Sequence, residues 1–375
     1  MARDSLFDER IIWSGYPNEV VTPPVLRAAA ALAFVASAIS TLFALVLSLA
    51  LSASPDTSLL FAAWTVTLGV ACLHGPKLWL AKVRYVVTEH HVIYQRGPFR
   101  RSIERRSISF ARIFWSHHTP GAGDLELVRA VPTGALRRRL MLRLYGVTAP
   151  DRVWAIIRGE ESVAPTGHGE RPLAQRLDSG ERVVWAARPR PTLRAYVPHA
   201  RRGWMQLVLA GFLTAAFVRM MWLGVPSVER VLGAGLPAGS VAFIALVAGL
   251  GLSALMVLAI AVYLAYHVVI RPGRLVNQTR YLITNKRVLI RRGDEELHLD
   301  RSRIVDVIDT PTGSGLSDVF LVLDGPRARA LAASGAFGEG EIGPGLRPVF
   351  QSVEDGESVG RILRAPSEPE LPRAA

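Results

Sequence analysis

The sequence predicts a membrane α + β protein with two transmembrane helical hairpins, each followed by a small antiparallel β-sandwich or barrel that a C-terminal helix caps. Three observations lead there: four apolar runs of membrane-spanning length, one set of landmarks that occurs twice in the same order, and short alternating segments between turn residues after each pair of runs. Half of the 375 residues are hydrophobic, yet the formal net charge is +13. Mean hydropathy is +0.26. An apolar chain rich in arginine fits a membrane protein with a basic cytoplasmic face. A nucleic-acid binder would account for the charge but not for the apolar runs, so no nucleic-acid partner is expected.

Residues 1–27 read as a cytoplasmic N-terminal motif segment, and 28–80 as the first transmembrane hairpin. The first eight residues lack a basic stretch leading into a short apolar one, so no cleavable signal peptide is expected. A helix needs about 20 apolar residues to cross a bilayer. Residues 28–51 supply one run without a charge. Residues 58–80 supply a second, with Gly75, Pro76 and Lys77 expected to break it near its end. The second hairpin, 204–270, opens with a run over 204–223 that holds Arg219 close to its end, where an arginine can snorkel to the headgroups. Its other run, 241–270, is long enough to tilt.

Orientation follows from the arginines. The connections 52–57 and 224–240 carry Asp56, Glu229 and one cation, Arg230. The opposite flanks carry Arg27, Lys77, Lys82, Arg84, Arg201, Arg202, Arg271 and Arg274. The positive-inside rule puts both connections outside, and both termini and all large segments in the cytoplasm. Small residues at spacing four (Ala29, Ala33, Ser37 and Thr41; Ala245, Gly249 and Ser253) are candidate helix contacts. No span holds a buried carboxylate, which argues against an ion-coupled transporter.

The repeat unit is motif, hairpin, small domain. Glu9-Arg10-Ile11-Ile12-Trp13 matches Glu181-Arg182-Val183-Val184-Trp185, with Pro17 and Pro189 following. Beyond each pair of runs, Arg84-Tyr85-Val86-Val87-Thr88 matches Arg280-Tyr281-Leu282-Ile283-Thr284. Further on, Arg112-Ile113 is aligned with Arg303-Ile304, and Thr119-Pro120 with Thr310-Pro311, at one offset. The small domains are expected over 81–159 and 271–365, joined by a linker over 160–203 that holds the second motif, with a disordered tail over 366–375. Strands are expected at 85–88, 92–96, 103–110 and 140–145, and again at 281–283, 288–291, 304–308 and 319–323, each set ending in an amphipathic helix.

These residues resemble the bacterial pleckstrin-homology (PH-like) membrane family. The Glu-Arg-apolar-apolar-Trp opening, the hairpin, and above all the segment from Tyr281 to Val288 are similar to that family's pattern. The resemblance covers about 8–158 and 179–364 and implies a bent antiparallel sandwich capped by a helix. The first copy departs from it, with Glu89-His90-His91 in place of Asn285-Lys286-Arg287.

The two copies differ in charge. Residues 83–159 hold 14 arginines against 5 acids, whereas 280–364 hold 12 basic residues against 13 acids. The candidate lipid-binding residues are therefore Arg96, Arg100, Arg101, Arg105 and Arg106, with Arg137, Arg138, Arg139 and Arg143. A candidate juxtamembrane anchor is the run Arg188, Arg190, Arg194, Arg201 and Arg202. Catalytic patterns are missing: the pairs His90-His91 and His117-His118 would point to opposite sides of a strand, and the GxGxxG spelled by residues 338–343 is flanked by acids and followed by Pro344. Cys72 stands alone, so no intrachain disulfide or thiolate metal site can be built. No enzyme activity, cofactor or metal is expected. The expected function is binding of anionic inner-leaflet lipid, or of a membrane or cytoplasmic protein partner, in envelope maintenance. The rivals are a protein-recruiting scaffold without lipid specificity and a transporter component.

Overall fold

The structure is a computed structural model that describes residues 9–18, 22–50, 52–129, 140–160, 172–190, 196–198, 201–233, 237, 239–313, 315–323 and 346–365. The chain divides into a helical unit, Thr22–Trp79 with Tyr196–Pro272, and a β-rich unit made of the remainder.

Among the described residues, four helices are long and apolar enough to cross a membrane. They are α1 (Pro24–Ala50), α2 (Asp56–Leu80), α4 (Arg201–Gly233) and α5 (Val241–Ala265). In α1, Ala30, Ala33, Ser37 and Ala44 are buried, three, four and seven residues apart as one helix face requires. This face is close to the small-residue line read from the sequence, but Ala30 and Ala44 stand on it where Ala29 and Thr41 were expected. Gly249 of α5 approaches Leu42 and Phe43 of α1, and Ser37 donates a hydrogen bond to the Ala62 carbonyl of α2 at 3.1 Å. Small residues thus do bring backbones together here, which is how helices associate where lipid removes the hydrophobic drive. Most other side chains face outward; Trp222 is 79% exposed and Phe212 70%. An outward face this apolar suits lipid rather than water.

Helix boundaries depart from expectation in three places. Helix α2 continues through Gly75, Pro76 and Lys77 without a break. Helix α4 runs on to Gly233, so Glu229 and Arg230 sit on the helix and not in a loop. Helix α5 continues through a π turn (Tyr266–Ile270) into α6 (Arg271–Gln278). Pro272 cannot donate the bond that an α-helix needs four residues back, and the wider turn before it absorbs the mismatch.

In the β-rich unit each repeat gives a four-strand set, a three-strand set and a helix. The first repeat supplies β1 (Ile11–Gly15), β2 (Val83–Thr88), β3 (His91–Arg96) and β4 (Phe99–Glu104), then β5 (Phe110–Trp115), β6 (Ala122–Arg129), β7 (Leu140–Thr148) and α3 (Pro150–Arg158). The second supplies β8 (Val183–Ala187), β9 (Thr279–Thr284), β10 (Arg287–Arg292) and β11 (Glu295–Asp300), then β12 (Asp306–Gly313), β13 (Leu316–Val322), β14 (Val349–Val353) and α7 (Gly356–Arg364). The expected strand over 103–110 is two strands, parted by a 3₁₀ turn at Arg105–Ser107. The motif segment is part of the sheet: β1 pairs antiparallel with β2, and β8 with β9.

The repeats are not separate beads. Strand β5 of the first pairs antiparallel with β11 of the second, making one seven-stranded sheet in the order β7-β6-β5-β11-β10-β9-β8. Phe110 and Val128 of the first repeat lie in the hydrophobic core of the second, against residues such as Leu297, Leu299 and Phe350. Successive residues on a strand face opposite ways. Ala111 and Ile113 therefore serve the first core, while Phe110 on the other face serves the second.

The repeat alignment also needs correction. Ser109 and Val305 occupy equivalent places, each donating its N–H to the last valine of its neighbouring strand, Val128 and Val322. Arg112 therefore has Ile308 as its counterpart, not Arg303, which lies in the 3₁₀ turn Arg301–Arg303. Thr310-Pro311 lies within β12, whereas Thr119-Pro120 lies in the β5–β6 turn.

Candidate functional site

The repeated residues turn out to be fold-making. The Thr88 hydroxyl donates to the Glu9 carboxylate and accepts the His91 N–H at 2.9 Å. The Thr284 hydroxyl donates to Glu181 at 2.6 Å and accepts the Arg287 N–H at 2.9 Å. Each motif glutamate thus pins its strand to the hairpin beside it. Tyr85 accepts from the Tyr145 N–H at 2.8 Å, and Tyr281 from the Gln351 N–H at 2.9 Å, each closing its repeat from within. Burial pushes both phenols above their ordinary range.

Of the nine arginines expected to bind lipid, Arg137, Arg138 and Arg139 lie outside the described residues. Two others are committed to the fold. Arg105 donates to the Ile157 and Ile156 carbonyls at the end of α3, at 2.8 and 2.9 Å, and to those of Thr88 and Glu89 at 3.1 and 2.8 Å. It satisfies helix-end carbonyls that would otherwise be left open. Arg301 does the same for α7 through Ile362 and Ala365 at 2.7 and 3.0 Å. Arg143 pairs with Asp124 at 2.8 Å and lies over the Phe114 ring, 4.6 Å from its centre. Arg106 is exposed in the 3₁₀ turn, beyond the far end of β4 from the β3–β4 turn.

The remaining three come together at that turn. Strands β3 and β4 are joined by Gly97 and Pro98 alone. Gly97 takes φ +53°, a conformation that costs little without a Cβ, while the Pro98 ring fixes its own φ at a negative value. That pairing of a positive and then a negative φ suits a tight hairpin turn. Arg96 stands opposite Phe99 across the hairpin, and Arg101 opposite Tyr94. Phe99 is 72% exposed, Arg101 is exposed, and Arg96 and Arg100 are half-buried. On the other face Arg84, Gln95 and Arg100 form one cross-strand row. Arg84 is exposed, as is Lys82 just before β2. Neither was among the expected lipid-binding residues; the period-two register of β2 is the signal that adds Arg84 to the group.

The equivalent tip of the second repeat is built otherwise. Gly293 takes φ +63°, but Asp294 follows it in place of Pro98. The Asp294 carbonyl accepts the Trp115 N–H of the first repeat at 2.9 Å, and its carboxylate meets His117 at 2.5 Å. Behind this tip lies a buried ionic network. Arg176 of the linker forks onto Glu296 across β11, and Arg287 holds Glu181 at 2.8 Å and Asp178 at 3.2 Å. Burial alone would raise the Glu296 carboxyl, but hydrogen bonding to His298 and the Arg176 guanidinium bring it down to about 2. Burial, with Arg287 and Arg176 alongside, lowers His298 below its ordinary value. The cavity at this network, near 20 Å³, has room for about one water. Among the described residues no cluster of three or more potential metal ligands occurs. The network locks linker and repeats together.

Of the expected juxtamembrane anchor, Arg194 lies outside the described residues. Arg188 is exposed, Arg190 pairs with Glu354, and Arg201 and Arg202 are exposed at the start of α4. No protein-family model, no curated protein and no solved structure matches the chain.

Proposed function

We propose that this chain is a non-catalytic, multi-pass protein of a bacterial inner membrane. In this reading paired PH-like modules on the cytoplasmic side bind anionic phospholipid headgroups through the basic end of the first repeat. The observation that carries the reading is the convergence of Lys82, Arg84, Arg96, Arg100 and Arg101 on one end of the β2–β3–β4 sheet, which begins three residues after α2 ends. Each cation held near an anionic leaflet contributes about 1 kcal/mol, so a group of five is a strong anchor where one is not. The PH-like reading is supported by the plan that both repeats share, four strands, three strands and a C-terminal helix. Cytoplasmic placement is supported by the cations that flank the spans and by the absence of any from the described α1–α2 connection.

Native mass spectrometry of the full-length protein, released from nanodiscs of mixed neutral and anionic phospholipid, tests it. The wild type should retain the anionic lipid preferentially, and the triple variant Arg84→Gln, Arg100→Gln, Arg101→Gln should lose that preference. Identical retention by the two would remove the headgroup reading.

A further inference from the structure

We infer that Phe99 is a wedge that the first repeat sets into the lipid interface, and that the second repeat has given up the same tip to clasp the first. The inference rests on the headgroup reading above and goes beyond it. Strand register makes Val83, Arg96 and Phe99 one cross-strand row, the first row of the sheet as the chain comes from α2. Two residues, Ala81 and Lys82, lie between Leu80 and Val83, so the three steps reach at most about 11 Å. Two strand spacings of about 4.8 Å carry the row on to Phe99. The tip therefore belongs to the end of its own sheet that is tethered to an apolar helix. The second tip is tethered at least as closely, through Gln278–Thr279 and the row Thr279, Arg292 and Glu295, so the side chains and not the tether tell the two apart.

Phe99 stands there 72% exposed. Its strand neighbours in the same direction are Arg101, also exposed, and Ile103, which is buried in the core. Along β4 the ring thus lies two strand repeats beyond the core residue Ile103 and is not part of the core. An exposed aromatic ring among arginines suits a surface that is apolar just below a layer of negative charge, as the bilayer interface is. The Gly97-Pro98 turn is short and has one φ fixed by the proline ring, so little conformational freedom is lost when the ring docks.

The second tip keeps the glycine and the arginine before it, Gly293 and Arg292, but not the proline, the ring or the two arginines that follow, whose places Glu296 and Leu297 take. Asp294 and Glu295 replace Pro98 and Phe99. Asp294 is engaged by Trp115 and His117, and the Glu295 carboxylate accepts the Leu346 N–H and pairs with Arg292 at 3.1 Å. One repeat thus supplies the lipid-facing tip and the other supplies the brace.

The test uses the full-length protein in nanodiscs with Cys72→Ala. An environment-sensitive fluorophore is attached through Phe99→Cys or, as comparison, through Asp294→Cys. In anionic bilayers the probe at position 99 should shift to the blue and be quenched by spin-labelled lipid, and Arg100→Gln with Arg101→Gln should reverse both effects. The probe at position 294 should stay open to aqueous iodide. A probe at 99 that iodide quenches as fully as at 294, while anionic lipid retention still depends on the arginines, overturns the wedge and leaves the headgroup reading standing. Shielding at 99 that is equal in neutral and anionic bilayers keeps the wedge and removes the headgroup reading.

Discussion

Arginine is the commonest cation in this chain, and its copies do unlike jobs at nearly identical sequence settings. Arg105 and Arg106 are adjacent, yet one donates to four backbone carbonyls and the other is exposed. Removing a charged donor from part-buried carbonyls costs on the order of 2 kcal/mol, whereas a surface substitution usually stays within about 0.5 kcal/mol. Arg105→Ala should therefore lower unfolding stability by about 2 kcal/mol in a denaturant titration, and Arg106→Ala should leave it nearly unchanged. A proton titration probes the junction. Glu296 is held near 2 against an ordinary 4.5, so its contribution is present above pH 4.5 and is lost as pH falls towards 2. His298 is also depressed, so its unprotonated folded form loses ground once pH falls below its ordinary 6.5. Stability followed by near-ultraviolet circular dichroism should decline on acidification below about 6.5 and more steeply below about 4.5. With His298→Phe the upper part of that decline should be absent. Sequence reading found the arginine clusters but could not separate these roles. Arg105 and Arg143 are spent on partners 52 and 19 residues away, which spacing along the chain does not reveal.

At the scale of the element, what was legible was periodicity. The four apolar runs, the hairpin strands and both C-terminal helices follow from spacing alone. The errors have physical causes. Pro76 lies inside α2 and was read as a stop, because a proline's lost hydrogen bond in a membrane helix can be made good by its surroundings. Residues 103–110 looked like one strand because the 3₁₀ turn at Arg105–Ser107 interrupts the alternation for only three residues. The motif strands β1 and β8 went unread as strands because five residues are too few to set a period. The Gly97-Pro98 turn makes its own prediction. Alanine at position 97 would meet no atom within 4 Å but would have to hold φ +53°, which costs about 1–2 kcal/mol. Gly97→Ala should thus weaken the β3–β4 hairpin, seen as faster hydrogen exchange in β4 while β13 is unaffected.

For the molecule as a whole, the sequence pointed to a duplication but not to what joins the copies. Strand pairing between repeats leaves no local signature, since β5 reads like any short strand until β11 lies beside it. The consequence is an asymmetric dependence: the second repeat borrows Phe110 and Val128 for its core. Phe110→Ala should cost about 3–5 kcal/mol, and most of the loss should appear as exchange in β9–β11 rather than in β2–β4. If the losses fell mainly on the first repeat instead, the shared core would be misassigned.

Binding of inner-leaflet headgroups requires the chain to cross the bilayer four times with the basic tip inside. Single cysteines at Ser54 and at Arg101, each in a Cys72→Ala background, can be offered to a membrane-impermeant maleimide in intact cells and again after the envelope is opened. Position 54 should label in intact cells and position 101 only after opening. Labelling of Arg101→Cys from outside, or of Ser54→Cys only after opening, would contradict the orientation and with it the inner-leaflet function.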